Sequence, residues 1–341
     1  VSAGESRRAG QDQGLGQDQT VQQDRTPYRD HPYREVPYLL NSQPGPLHHA
    51  PLAFAHRGAD PERENTMVAF RRAMDLGFRY LEIDVRTSAD GELVIFHDEV
   101  LDRVTNGTGK LSDHTWAQLT QLRVIGASAA KTARKTSAGE LTDSRLAVEK
   151  VQEPAPSESE NNDDDAPAEP TGEPLVRFED ALRALPEAYF NVDLKDAEAV
   201  EHFAEIVERL QAQDRVLAAS FNDARRHKVR RLLSKRIATS GGWVSTALMV
   251  LLGPLGGFGK LSRRIAHIDC VQVPIRQSRI PIVRPKFIDR CHRAGLQVHV
   301  WVVDDPQEMH RLLNLGVDGI MTDDAEALAE VMRERSVWPQ V

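Results

Sequence analysis

The chemistry in this chain gathers in residues 53–98, where two histidines, His56 and His97, each end a short apolar run. Between them, Glu82-Ile83-Asp84 spaces two carboxylates two residues apart. Side chains alternate faces along a strand, so Glu82 and Asp84 share one face while Leu81, Ile83 and Val85 take the other. Two like charges on one half-buried face repel, and they call for a cation or a shared proton between them. An all-oxygen donor set suits Mg²⁺ or Ca²⁺ better than zinc. The alternative for any lone acid pair is a solvated sheet face. Five features coinciding in 43 residues tip the balance toward a site: His-Arg-Gly, Glu-Asn-Thr, Glu-Ile-Asp, a turn and His-Asp.

The elements that must hold these groups follow from spacing. Ser88-Ala89-Asp90-Gly91 reads as a tight reversal, with Asp-Gly supplying positive φ. The connection is too short for a parallel crossover, so Arg79–Thr87 and Glu92–His97 are expected to form an antiparallel hairpin. Pairing near 87 and 92 makes residue numbers sum to about 179, which sets His97 opposite Glu82. Before the hairpin, a strand at 52–56 leads through a loop into a helix capped by Asn65 or Thr66 and stopped at Gly77. Helix–Gly–strand joins recur at Gly295 and Gly316, which indicates βα units and a mainly parallel sheet. Nine candidate strands are legible, one more than a TIM barrel needs. Either Ile268–Val273 or the hairpin's return strand therefore sits irregularly. His56, Asp84, Lys195, Trp301 and Asp323 lie at the carboxyl ends of parallel strands, where such barrels place active sites.

The set His56-Arg57-Gly58, Glu64-Asn65-Thr66, Glu82-Ile83-Asp84 and Phe96-His97-Asp98 resembles the glycerophosphodiester phosphodiesterases. Asn191-Val192-Asp193-Leu194-Lys195, Val300-Trp301-Val302 and Asp318 to Asp323 fit as well, and the resemblance covers roughly 50–331. It implies an α/β fold, a TIM (β/α)8-type barrel with an irregular β-hairpin and an insertion after the second histidine. It also implies that His56 and His97 are the general acid and base, without saying which is which. Glu82 and Asp84 would ligate a divalent cation, Mg²⁺ or Ca²⁺. Asp193 stands where the family usually has glutamate, so its shorter reach leaves direct or water-mediated ligation open. Glu64 would lie in or just outside the ligand set. Arg57 and Lys195 would meet the phosphate, Lys195 also being free to pair with Asp193, and Asn65 would bond phosphate or a metal-bound water. Trp301 either walls the substrate pocket or packs in the core.

The activity implied is hydrolysis of glycerophosphodiesters to sn-glycerol 3-phosphate and an alcohol by metal-assisted acid–base catalysis. The alternatives are a lysophospholipase-D-like or phosphoinositide-cleaving relative acting on lipid, and a catalytically silent barrel that binds glycerophosphodiesters. Binding alone needs no acid–base pair, which disfavours the silent barrel.

Composition sets the remaining bounds. The chain has 341 residues, a net charge of −8 and two cysteines without CxxC spacing. That cysteine usage fits a reducing compartment, and the cytoplasm is the expected location. The charge is carried by Val151–Pro174, which holds eight acids and no base; the rest is balanced, which argues against nucleic acid as a partner. The expected partner is a small-molecule diester, with at most weak contact with a membrane surface. Residues 1–36 are polar, lack an apolar run of signal-peptide length and read as a disordered tail. An insertion at 99–175 is expected to include a disordered acidic loop at 126–174. A basic helix at Asp223–Leu233 reads as a solvated outer face, with an anionic membrane or phosphate as the alternative. Ile237–Gly259 carries no charge, yet six glycines and Pro254 favour a strand and an apolar helix (Trp243–Leu252) over a span. Interfacial contact is the residual reading.

Overall fold

The computed structural model describes residues 35–132, 134, 171–252 and 267–340. Eight parallel strands close on themselves: β1 (Leu52–His56), β2 (Tyr80–Thr87), β3 (Tyr189–Leu194), β4 (Val216–Ala219), β5 (Ala238–Gly241), β6 (Cys270–Val273), β7 (Gln297–Val300) and β8 (Gly319–Thr322). Each pairs with the next, and β8 returns to β1 with Leu52 opposite Gly319. The helices that follow them in turn are α1 (Met67–Leu76), α2 (Phe178–Ala184), α3 (Ala199–Arg209), α4 (Asp223–Leu232), α5 (Trp243–Leu252), α6 (Pro285–Arg293), α7 (Pro306–Asn314) and α8 (Ala325–Glu334). This is the TIM (β/α)8 barrel expected. The surplus ninth strand is the hairpin's return, Leu93–Ile95, which pairs antiparallel with the β2 edge and carries a short strand, Val176–Arg177, on its other side.

Alternation divides the residues between two cores. Outward-facing Ala53, Leu81, Ile83, Val192, Ala218, Val271, Val298 and Ile320 pack under the helices. Inward-facing Leu52, Phe54, Tyr80, Leu217, Ala238, Cys270 and Met321 fill the barrel. The base is stoppered from outside the strands. Tyr38 is buried there, its ring edge-on to Tyr80 at 5.3 Å, and the Tyr80 hydroxyl donates to the Tyr38 carbonyl. The Tyr80 hydroxyl is thereby satisfied inside the barrel, which makes burial of its ring favourable.

The ordered chain reaches beyond 50–331. Val36 is buried, which moves the boundary of the expected tail; residues 1–34 lie outside the described residues. At the other end, Gln340 accepts from the Ala53 amide and donates to the Pro51 carbonyl. The insertion has its own apolar cluster of Val94, Phe96, Leu101, Val104, Leu111, Leu119, Val124 and Leu175. The edges of the loop expected at 126–174 are regular: 127–132 are helical, and Glu173–Pro174 pair with Arg123–Val124. Residues 135–170 of that loop lie outside the described residues.

The register of the hairpin differs from expectation. Val85 pairs with Ile95, Arg86 with Val94 and Thr87 with Leu93, so numbers sum to 180. The Ser88 amide donates to the Glu92 carbonyl, leaving a three-residue loop that ends at Gly91 in the left-handed region (φ 86°). A three-residue loop with a terminal αL residue is a favoured hairpin closure. A slip of one exchanges faces: Phe96 comes level with Asp84, its amide donating to the Asp84 carbonyl, and the expected placement of His97 opposite Glu82 is not met. His97 lies past the end of the return strand.

Candidate active site

The carboxyl ends of the strands open onto a cavity of about 330 Å³ lined by His56, Arg57, Glu82, Asp84, His97, Asn191, Asp193, Lys195 and Trp301, among others. Strand register does much of the gathering. His56 is level with Glu82, Glu82 with Asn191, and Asp84 with Asp193.

The first loop explains two of the motifs residue by residue. Arg57, Gly58, Ala59 and Asn65 all hold positive φ (51°, 88°, 51° and 59°). A Cβ on Gly58 would stand 2.7 Å from the Ala69 Cβ, so the helix that follows could not sit where it does. In Glu-Asn-Thr each residue has a separate task. Thr66 caps α1 by accepting from the Ala69 amide. Asn65 donates to Asp84 Oδ2 at 3.1 Å. Glu64 accepts from Arg57 at 3.1 Å and from Arg103 through both oxygens, at 2.8 and 2.6 Å.

His56 Nδ1 lies 2.6 Å from Asp323 Oδ1, and its Nε2 lies 3.7 Å from Glu82. Burial alone would lower the imidazole pKa, but the charges of Glu82 and Asp323 outweigh it and raise it. His97 Nδ1 is 2.6 Å from Asp98, which is itself held by Arg103. Burial lowers the His97 pKa; the pull of Asp84 is opposed by Lys195 and Arg57. The two imidazoles are thus pushed apart, the usual sign of divided proton-transfer duties.

Lys195 Nζ bridges Asp84 and Asp193 at 2.8 and 2.7 Å. Arg57 Nε approaches Asp84 at 3.0 Å. Burial would raise the Asp84 carboxyl, yet Lys195 and Arg57 hold it well below the usual range. At Glu82 burial and the Asp84 charge outweigh the pull of His56, Lys195 and Arg57 and push its carboxyl up. Burial also raises Asp193, against the pull of Lys195. Among the described residues no three acid, imidazole or thiol groups stand close enough to ligate an ion as they are; Lys195 fills the space between two of the carboxylates. The donor set still fits a hard cation. It is oxygen-only, and Asp193 Oδ1 and Asn191 Oδ1 are buried without a partner.

Every expected site residue therefore reaches the cavity or touches a residue that lines it. Trp301 is half-buried on the wall, edge-on to Phe221 at 6.3 Å. Asp323, Asp98 and Arg103 carry contacts that the sequence did not assign. Asp323 and Asp98 adjoin recognisable motifs, whereas nothing local marks Arg103, which arrives through the insertion. The basic helix α4 is not a uniformly solvated face: Arg226 is fully buried against Asp223, and Arg225 donates to the Leu194 and Lys195 carbonyls. Among the described residues no helix is long and apolar enough to cross a membrane.

The model of the glycerophosphoryl diester phosphodiesterase family matches residues 56–327. A protein from Mycobacterium tuberculosis named "Probable glycerophosphodiester phosphodiesterase 2" is 35% identical over 293 residues, covering 85% of this chain and 94% of the relative. A glycerophosphodiester phosphodiesterase of Caldanaerobacter subterraneus is 27% identical, covering 83% and 98%. The crystal structure of the Agrobacterium tumefaciens enzyme superposes with a TM-score of 0.58 at 24% identity, covering 82% of this chain and 99% of that one. An Oleispira antarctica phosphodiesterase, solved with the product sn-glycerol-3-phosphate, gives 0.57 at 20% identity, covering 83% and 97%. These two structures share the barrel. With the match running from the first histidine into α8, this chain belongs to the glycerophosphoryl diester phosphodiesterase family.

Proposed function

We propose that the chain hydrolyses glycerophosphodiesters to sn-glycerol 3-phosphate and an alcohol, with His56 and His97 moving the protons. The observation that carries this reading is the pair of imidazoles on one cavity, each held at Nδ1 by its own carboxylate, 2.6 Å away in both cases. A carboxylate at Nδ1 fixes the tautomer and leaves Nε2 to exchange the proton. A phosphodiester is anionic and repels nucleophiles, so its charge must be neutralised first. Arg57 offers a planar fork for phosphoryl oxygens, and Lys195 a point charge. Glu64 and Arg103 position Arg57, and Asn65 holds Asp84.

Glu82, Asp84 and Asp193 would hold the divalent cation, Mg²⁺ or Ca²⁺, with Asn191 Oδ1 as a neutral neighbour. Such an ion polarises a non-bridging phosphoryl oxygen. The chain's own groups then bind the diester against Arg57 and Lys195, take a proton from the attacking hydroxyl and return one to the leaving alcohol. The aromatic wall of Trp301 and Phe221 excludes water from one side. The Mycobacterium and Caldanaerobacter relatives named for this activity, and the Oleispira phosphodiesterase holding sn-glycerol-3-phosphate, support the substrate class. The two buried cysteines, both free, support a reducing cytoplasmic setting.

The test is a panel of glycerophosphodiesters assayed with EDTA and with Mg²⁺ or Ca²⁺ restored. Asp84→Asn should abolish most activity while the protein still melts cooperatively. His56→Ala and His97→Ala should each lose about 10²–10⁴ in turnover with cation binding by calorimetry little changed. Parallel loss of cation affinity in both histidine variants would make them ligands and overturn the mechanism.

A further inference from the structure

Seven large apolar side chains are exposed among the described residues, and four of them sit on segments that contribute to the lining of the reaction cavity. Phe221 follows β4, Trp243 and Val244 open α5 after β5, and Ile280 sits on a hairpin after β6. Their exposures run from 47 to 59%. The segments are joined: the Trp243 amide donates to the Phe221 carbonyl at 3.0 Å. In the hairpin, Arg276–Gln277 pairs with Ile280–Pro281, and Ser278 takes a left-handed turn between them (φ 53°). Phe221, Trp243 and Gln277 also line the cavity, so all three segments reach the reaction site.

Exposed apolar residues scattered singly need no explanation, but four on three successive strand ends do. Cations flank the cluster. Arg276 and Arg279 bracket the hairpin tip, and among the described residues neither makes an ion pair. Aromatic rings beside unneutralised arginines fit the boundary between acyl chains and anionic headgroups. Such a boundary also presents phosphodiesters, the groups the adjoining cavity is built to meet. A second copy docked face to face would set the same arginines against each other.

We propose that this rim docks on an anionic phospholipid surface, presenting the cavity to phosphodiesters at the bilayer face. The proposal rests on the phosphodiesterase reading of that cavity. Docking is peripheral: the four side chains seat at headgroup depth, and the arginines pair with lipid phosphates. The expected preference follows from the charges. Each arginine near an anionic surface contributes about fivefold, hence roughly thirtyfold for the two.

The test is co-sedimentation of the full chain with vesicles of phosphatidylcholine, with and without phosphatidylglycerol, alongside turnover of a soluble glycerophosphodiester. Binding should favour the anionic vesicles by roughly thirtyfold. Arg276→Glu with Arg279→Glu should remove that preference, and Ile280→Glu should weaken binding to both vesicle types. All three changes lie off the cavity, and turnover of the soluble diester should persist. Trp243 emission should shift to the blue on binding and be quenched by brominated lipid. Failure to bind either vesicle, binding unaffected by these variants, or a rim-dependent dimer in sedimentation velocity would each overturn the docking surface. Vesicle binding is read without catalysis, so a protein that turns over the soluble diester but ignores vesicles refutes docking alone. A protein that turns over no diester refutes the phosphodiesterase reading instead.

Discussion

Asp323→Asn isolates the charge behind one imidazole. Asparagine keeps an Oδ1 that accepts from His56 Nδ1, so the tautomer and ring orientation survive while the negative charge goes. The contact is short at 2.6 Å, and a hydrogen bond to a charged group contributes about 1.5–3 kcal/mol. The low end applies, because the Asp323 side chain is 38% exposed and solvent screens it. About 1.5 kcal/mol corresponds to roughly one pKa unit and one decade in rate. The His56 pKa is raised by both Glu82 and Asp323 against burial, so losing one of them moves it down, never up. The pH profile of kcat/KM, which reports the free enzyme, should show the His56 limb about one unit lower and the maximum about tenfold reduced. Titration of the His56 ring by NMR supplies the same shift independently of turnover. A tenfold loss with the limb and the ring titration unmoved would refute the reasoning, because Asp323 would then act on something other than His56.

Three further outcomes follow from burial and packing. His299 is fully buried in the barrel, its Nε2 on Gln297, and burial pushes its pKa down to about 4. The unfolded chain binds this proton near pH 6.5 and the folded one does not. Stability is therefore complete above that value and falls as pH drops, by about 3 kcal/mol at pH 4; between pH 7 and 4.5 the urea midpoint should fall further for wild type than for His299→Gln. At Gly319, a Cβ would lie 2.7 Å from the Phe54 ring and 3.0 Å from His299. Gly319→Ala should cost about 1–3 kcal/mol by overpacking, seen as a lower urea midpoint, and an unchanged midpoint would mean that the two rings can yield. Arg103→Ala removes its bonds to both oxygens of Glu64, leaving Oε1 to Arg57 alone, and releases Asp98 from its cation. Turnover should fall about tenfold through loosened Arg57 and His97 with little change in melting temperature, whereas wild-type turnover would assign Arg103 to the insertion alone.

The sequence carried the local half of this site. Glu82 and Asp84 could be placed on one face because alternation along a strand has a fixed period, and Thr66 and Gly77 bound α1 by local capping chemistry. The hairpin was legible as a hairpin, but its register depends on whether Ser88 belongs to the turn or the ladder. That is a difference of one hydrogen bond, and it moved His97 off the strand. Arg103 was out of reach, because its partners are 39 and 5 residues away and meet only after the insertion folds back. The same holds for Tyr38, whose short run Val36-Pro37-Tyr38-Leu39-Leu40 gave no sign that it would enter a barrel base, and for Arg226, buried within a helix that reads as uniformly charged. Composition records what a segment can afford to expose, not which residue the tertiary fold will cover.

The stopper at the foot of the barrel bears on kinetics. Tyr38, Tyr80, Tyr189, Phe54 and His299 pack ring against ring across the foot of the barrel, with centroids 4.9 to 6.0 Å apart. In the binding mode proposed above, reactant and both products pass the cavity mouth, and the part of the diester held on Arg57 and Lys195 would lie deeper than the alcohol at the aromatic rim. The alcohol is then first to depart and the phosphate-bearing fragment last. Such an ordered sequence makes glycerol 3-phosphate a competitive inhibitor against the diester and the alcohol a noncompetitive one.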